Sequence, residues 1–452
     1  MGPASLSLAR SFKQYHNNLN YSDILTLDKH LIGSSRTRSS NSLITDSAAG
    51  ATAFSCGEKS YNGAIGIDDQ FKPCGTILEA LKLKGYLTGL VVTTRITDAT
   101  PASFSSHVKY RSFEDLIALH QLGHYPLGRV VDLLIGGGRT HFYSNESSIE
   151  YGSKGSRLDG RNLIEEALNE GWNYIGNRTS FDNAEIGQLP ILGLLDDFDI
   201  PFEIDRNDSI HPSLKEQTKF ALESLNKASE NSNQGFFLLV EGSRIDHAGH
   251  YNDPATQVRE VLSFDETFQE ILKFAENSSV ETLIISTSDH ETGGLAVGRQ
   301  ISAKYPDYKW FPEILNNVKH SGEYLTSKIL NYNGDDLENF LKDEIILKGL
   351  GINDLKDEEF SKLLQNIESP HYILNELISI RSQTGWSTHG HSAVDVNIYG
   401  YSNKKDVFTQ ILTKLNGNRE NIEIGKFLQD YTNVDIDEIT SKLVNTTIEP
   451  RN

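Results

Sequence analysis

The stretch YLTGLVVTTRITDATP, residues 86–101, decides how the rest of the chain is read. Its first half, YLTGLVVTT (86–94), follows Gly85 and is an almost unbroken apolar and β-branched run. Such a run predicts a strand buried on both faces, as in a parallel sheet, not the alternating pattern of a half-solvated one. Its second half is polar and turn-like, and it sets Asp98 and Thr100 just past the strand end, before Pro101. Ligands of open α/β sheets bind beyond the carboxyl ends of the strands.

The pattern recurs along the chain. RVVDLLIGGG (129–138) predicts a strand ending in a glycine turn, and FFLLV (236–240) and TLIIS (282–286) predict two further buried strands. Helices are expected between them. One covers 76–84. Another covers 161–170, with Leu163, Ala167 and Leu168 inward, and a third covers 213–229, with Leu214, Ala221, Leu222 and Leu225 inward. A long helix follows Pro254, with Val258, Val261, Leu262, Phe268, Leu272 and Ala275 on one side. Residues 3–19 read as an amphipathic helix carrying Leu8, Phe12, Tyr15 and Leu19. Strand and helix alternation with continuous apolar strands predicts an α/β fold, a mostly parallel central sheet with helices on both faces. From about 300 to 385 the pattern loosens into polar, Asn-rich helical sequence, read as an insertion outside the sheet. Residues 1–430 are expected to form one domain, and 431–452 a polar, loosely packed C-terminal tail.

The 452 residues carry 62 acidic against 42 basic side chains, a formal charge of −20. That excess argues against nucleic acid and anionic membrane as partners, and an anionic substrate would need local positive charge. No apolar run has the length of a membrane span, and no signal-peptide pattern is visible at Met1. The two cysteines, Cys56 and Cys74, leave pairing open. Sequons begin at Asn20, Asn145, Asn177, Asn207, Asn277 and Asn445, a weak pointer to a lumenal glycoprotein.

The chemistry sits at the strand ends. FFLLV is followed by EGSRIDHAGH, with Glu241, Asp246, His247 and His250, and TLIIS by TSDHETGG, with Asp289 and His290. STHGHSAVDV later holds His389 and His391. One helical turn could aim Asp246 and His250 at one ion, and imidazole with carboxylate suits zinc. Asp98, Thr100 and Glu241 are hard oxygen donors, which suits magnesium. Singly, an Asp-x-x-x-His pair or a capped strand end is more often structural. Clusters at three successive strand ends are what chance does not readily give. TDSAAGATA (45–53) adds Ser47 ahead of six small residues. A serine at or near the N-cap of such a helix lies among unpaired N–H groups, a place for an anion. It becomes a nucleophile only when a base or metal activates it; otherwise the stretch is a small-residue buried helix with a capping serine. Arg111 offers a planar fork for two phosphate oxygens. His107, His120, His124 and His389 are read as structural or surface residues.

Together TDSAAGATA, TTRITDATPASF with SSHVKYR, VEGSRIDHAGH, STSDHETGG and HGHSAVDV resemble the alkaline phosphatases, with a particular likeness to the vacuolar enzymes of yeasts. The resemblance runs from Met1 to about Gln429. It implies a phosphomonoesterase with two zinc ions and one magnesium ion per subunit. Ser47 would become phosphoserine and Arg111 would clamp phosphate. Asp246, His250 and His391 would form one zinc site, Asp289 and His290 the other, and Asp98, Thr100 and Glu241 the magnesium site. His247 falls at a position that varies in the family and tunes phosphate contact. The resemblance also implies a homodimer with a crown-like insertion near its interface, a vacuolar, lumenal location with a membrane anchor upstream, and small phosphate monoesters, with phosphopeptides as candidates, as substrates.

One departure stands beside the match. Met1-Gly2-Pro3 aligns with the end of the family's strand–Asp-Gly-Met-Gly motif, and Met1 is the single methionine. The expectation is an N-terminally truncated chain, lacking the strand whose Asp bridges the second zinc and the magnesium. That departure carries the alternative of a catalytically impaired fragment; a separate alternative is a phosphodiesterase or sulfatase of the same superfamily. The latter usually carry Thr or a modified Cys as nucleophile.

Overall fold

The computed structural model describes residues 1–148 and 153–450. Its longer strands begin with β1 (Leu31–Arg36), β2 (Leu87–Arg95), β3 (Leu133–Gly137), β4 (Asn173–Ile175), β5 (Ile191–Leu194), β6 (Phe236–Glu241) and β7 (Leu283–Thr287). Four two-residue strands follow: β8 (Glu291–Thr292), β9 (Ala296–Val297), β10 (Thr384–Gly385) and β11 (His391–Ser392). The last are β12 (Val396–Ser402) and β13 (Gly417–Glu420).

A five-stranded parallel sheet has the order β4-β5-β3-β2-β6. Leu90 of β2 stands opposite Leu134 on one side and Leu239 on the other. Leu90, Val91, Val92, Leu133 and Leu134 are wholly buried, so β2 and β3 have the double-sided burial that their unbroken apolar sequence demands. The fold is α/β with helices around this sheet. A second sheet, order β13-β1-β12-β7, is mixed: β12 runs antiparallel to both β1 and β7.

The structure differs from the sequence expectation in several places. FFLLV was expected to be fully buried, yet every residue of β6 is only half-buried. β6 ends its sheet, bonded to β2 alone among the described residues, and β7 ends the other sheet. Burial of an apolar strand needs a neighbour, which sequence pattern cannot supply. The strand expected from 129 begins at Leu133; the carboxylate of the preceding Asp132 holds Lys82 and the Thr88 N–H. The first helix is Pro3–His16, not 3–19; Leu6, Leu8, Ala9 and Phe12 form its buried face, and Tyr15 and Leu19 are exposed. It ends where Asn18 takes a positive φ, a conformation Asn tolerates.

Between residues 312 and 382 the chain is largely helical, including Gly322–Leu330, Asp357–Gln365 and His371–Ser382. Leu315, Leu325, Ile345, Leu363 and Leu374 gather there with Leu8, Phe12 and Val258. This region therefore packs on the first helix and on the long helix Pro254–Asn277. The segment after 430 is not loosely packed. Ile436–Lys442 is a helix, and Ile436, Ile439 and Leu443 bury against Ala80; the i, i+3, i+7 spacing makes that face continuous. The last two tail residues lie outside the described residues. Cys56 and Cys74 form a disulfide. Among the described residues no helix is long and apolar enough to cross a membrane.

Candidate active site

Ser47 opens the helix Ser47–Cys56, whose remaining residues are all buried. Its N-cap is Asp46, not Ser47. The Asp46 carboxylate accepts from the N–H groups of Ala49 and Gly63, each at 3.0 Å, and lies 3.5 Å from Arg111 Nη1. A carboxylate is the better acceptor for those positive groups, and Ser47 Oγ is left free of capping. It lies 2.9 Å from His290 Nε2 instead. The small residues behind it have a specific reason at Gly50: a Cβ there would fall 2.8 Å from Asp289 Cβ. This helix therefore lies directly against the turn after β7.

The four imidazole and carboxylate groups Asp246, His250, His290 and His391 converge. Asp246 and His250 lie on the helix Arg244–His250, one turn apart, with Asp246 Oδ2 3.3 Å from His250 Nε2. His391 Nε2 is 3.1 Å from His250 Nε2 and 3.6 Å from Asp246 Oδ1. The His290 and His391 rings stack at 3.5 Å between centroids. One donor atom each from Asp246, His290 and His391 falls within a 4.8 Å sphere of the others. Asp289 Oδ2 lies 3.0 Å from His290 Nε2. Asp246 thus stands between the two groups of residues that sequence reading kept apart.

The electrostatics are those of a site with concentrated charge. Burial would raise the Asp246 carboxyl, but the neighbouring imidazoles outweigh it and hold it well below the usual range. Burial likewise opposes charge on His250, yet Asp246 raises it to about 9. His391 goes the other way, to about 4, through burial and the nearby His290.

Glu241, Thr100 and Asp98 lie on the other side. Glu241 ends β6 and accepts from Ser243 Oγ at 2.6 Å, and Thr100 bonds it as well. Burial, with Asp289 and Asp98 near, pushes it up to about 8. Asp98 caps the helix Ala99–Ser105 and accepts from Arg111 Nη2 at 2.8 Å. Arg111 is 37 % exposed and spans Asp98 and Asp46, so its fork reaches the Ser47 helix N-terminus through Asp46.

These donors fit divalent cations. Two imidazole nitrogens facing each other at 3.1 Å cannot both keep protons there. Asp289 Oδ2 is buried and makes no aligned hydrogen bond despite its closeness to His290. Glu241 is a half-buried carboxylate beside two others. Each is the environment in which a cation relieves an otherwise costly burial.

Sequence reasoning missed the groups that orient these side chains. Thr292 Oγ1 bonds Asp246 Oδ1 and lies 3.2 Å from His290 Nδ1. The Thr45 carbonyl meets His391 Nδ1 at 2.7 Å. His389, read as structural, exchanges contacts with His250: each ring Nδ1 meets the other residue's carbonyl, at 2.6 and 3.0 Å. Asp199 lies 3.5 Å from His247 Nδ1. A backbone carbonyl leaves no sequence signal, and lone Thr or Asp residues leave very little. His107 is indeed internal, bonded to Glu79 and the Gly66 carbonyl.

Fold and site together define a class, an α/β enzyme with a serine at a helix N-terminus facing clustered histidines and carboxylates. Residues 1–434 match the alkaline phosphatase family. The chain is 59% identical to the repressible alkaline phosphatase of Saccharomyces cerevisiae, covering 99% of this chain and 82% of that protein. It is 48% identical to an alkaline phosphatase of Schizosaccharomyces pombe with the same coverage of both. Among solved structures, a cold-active alkaline phosphatase from a psychrophilic Shewanella superposes with a TM-score of 0.78 at 30% identity, covering 95% of this chain and 97% of that one. The Thermus thermophilus alkaline phosphatase gives 0.79 at 25% identity, covering 95% and 88%. The chain belongs to the alkaline phosphatase family, a family of metal-dependent phosphomonoesterases.

Proposed function

We propose that this chain hydrolyses phosphate monoesters by way of a phosphoserine at Ser47. The observation that carries the reading is the contact between Ser47 Oγ and His290 Nε2 at 2.9 Å, at the N-terminus of a buried helix. Asp246, His250 and His391 would hold one zinc ion, Asp289 and His290 a second, and Asp98, Thr100 and Glu241 a magnesium ion. When bound, such ions supply Lewis-acid stabilisation of negative charge on oxygen.

The protein's own groups do the rest. The helix N-terminus stabilises negative charge at Ser47 Oγ as the hydroxyl loses its proton. Arg111 donates its fork to two phosphate oxygens, held in reach by Asp46 and Asp98. In-line attack moves the phosphoryl group from the ester oxygen to Ser47 Oγ, and water then displaces Oγ. Because the named contacts address phosphate only, varied leaving groups are accepted, small esters and phosphopeptides among them.

The resemblance to yeast vacuolar enzymes further supports a glycosylated homodimer in the vacuolar lumen, with the helical region between 300 and 385 as a crown-like element near the interface. The test of the function is hydrolysis of an aryl phosphate monoester against the corresponding diester with both metals supplied. The reading expects the monoester to be strongly preferred. A preference for the diester would overturn it.

A further inference from the structure

Arg111 is the end of a longer line of alternating charges. Its Nη2 takes Asp98 Oδ1, and the second Asp98 oxygen lies 3.6 Å from Arg95 Nη2. Arg95 closes β2 and is held from two more sides. Its Nε donates to both Glu114 oxygens, at 2.9 and 3.2 Å. Its backbone N–H and Nη1 both donate to Asp199 Oδ1, at 2.9 and 2.8 Å. Glu114 is the first residue of the helix Glu114–Gln121, where a carboxylate also complements the helix dipole. It accepts from Thr97 Oγ1 at 2.6 Å and lies 3.2 Å from His141 Nε2.

We propose that Glu114 and Arg95 are positioning residues for phosphate binding, fixing Asp98 and through it the fork of Arg111. The proposal rests on Arg111 being the phosphate clamp. A carboxylate gripped at one oxygen cannot rotate freely, so it presents the other at a set angle. An arginine loses much of its rotamer freedom on binding an anion, and ordering it beforehand removes that cost from the binding step. Arg95, in turn, would be a loose cation at a strand end without Glu114 and Asp199. No step in this line needs Glu114 to touch substrate.

A purely structural Glu114 would also tie the helix Glu114–Gln121 to β2, so stability alone does not test the idea. A double-mutant cycle does. Competitive inhibition by inorganic phosphate is measured on the metal-replete full chain for wild type, Glu114→Gln, Arg111→Ala and the double variant. Phosphate binding to the same four proteins in a Ser47→Ala background, read by calorimetry, gives a value independent of turnover. Glu114→Gln is expected to weaken phosphate binding about 2- to 30-fold, the usual range for a network residue that does not touch the ligand. It should add nothing on top of Arg111→Ala. If Glu114→Gln does not fold, Arg95→Lys, which keeps the charge but cannot span Glu114, Asp199 and Asp98 together, replaces it in the same cycle. An unchanged phosphate affinity in the single variant, or the same loss in both backgrounds, overturns the proposal. If Arg111→Ala itself leaves phosphate affinity unchanged, the clamp assignment fails and takes this proposal with it, a result distinct from either.

Discussion

Ser47 Oγ and His290 Nε2 lie 2.9 Å apart although 243 residues separate them in the chain. The contact joins the N-terminus of one helix to the turn after β7, and Gly50 allows it, because no side chain stands between that helix and Asp289.

Gly50→Ala therefore makes a sharp prediction. In a helix interior, Ala is favoured over Gly by about 1 kcal/mol, so the helix itself gains. The new Cβ would displace Asp289. The expected outcome is reduced zinc content and lower turnover in a protein that still folds, read by metal analysis beside circular dichroism. Unchanged zinc content would show that Asp289 does not need its present place.

Arg111→Ala should weaken phosphate binding and slow turnover, by about 1.5–3 kcal/mol for a charge-assisted contact. Arg111→Lys should recover only part, because an ammonium cannot make the forked contact. Inhibition constants for phosphate across the three proteins check this. Equal values would return Arg111 to the surface.

The crowding of Asp246, His250, His290 and His391 predicts a large effect of metal on stability. Ions that bind the folded state alone stabilise it by about 2.7 kcal/mol at a hundredfold excess over the dissociation constant. Chelation should thus lower the thermal midpoint and abolish activity, with zinc restoring both. Asp246→Ala should blunt the response, since Asp246 stands between both donor groups. A midpoint indifferent to chelator would contradict the metal assignment.

The Glu114–His141 pair gives a pH prediction. Burial opposes charge on both, but His141 and Arg95 outweigh it at Glu114 and lower it from 4.5 to about 2, while Asp115 and Glu114 raise His141 from 6.5 to about 9. A depressed carboxyl contributes stability above its ordinary value and loses it as pH falls from 4.5 towards 2. A raised imidazole contributes fully below 6.5 and loses its share as pH climbs through 9. The gap in thermal midpoint between wild type and Glu114→Gln should be widest between those limits and close on the acid side. The gap should narrow less at high pH, where the charged Arg95 still holds Glu114 in the wild type. A gap independent of pH would contradict the pairing.

What the sequence made legible follows from where the information sits. β2 announces itself because its apolar run is unbroken, and the site because donors cluster within a few residues of strand ends. β1, LIGSSR, and β13, GNRE, carry no apolar run and were not foreseen; the pairing of β1 with β13 on one side and β12 on the other is a tertiary event. The tail helix was misread because its buried residues are only Ile436, Ile439 and Leu443 among polar neighbours. Thr292, the Thr45 carbonyl, Glu114 and Asp199 orient the site from positions that no local pattern marks.

The central claim is that Ser47 takes the phosphoryl group. The most direct measurement is acid quench of the metal-replete protein during turnover of a labelled phosphate monoester, followed by mapping of protein-bound label. The account predicts acid-stable phosphate on Ser47 in the wild type and none in Ser47→Ala. Label on a different residue, or full turnover by Ser47→Ala, would contradict it.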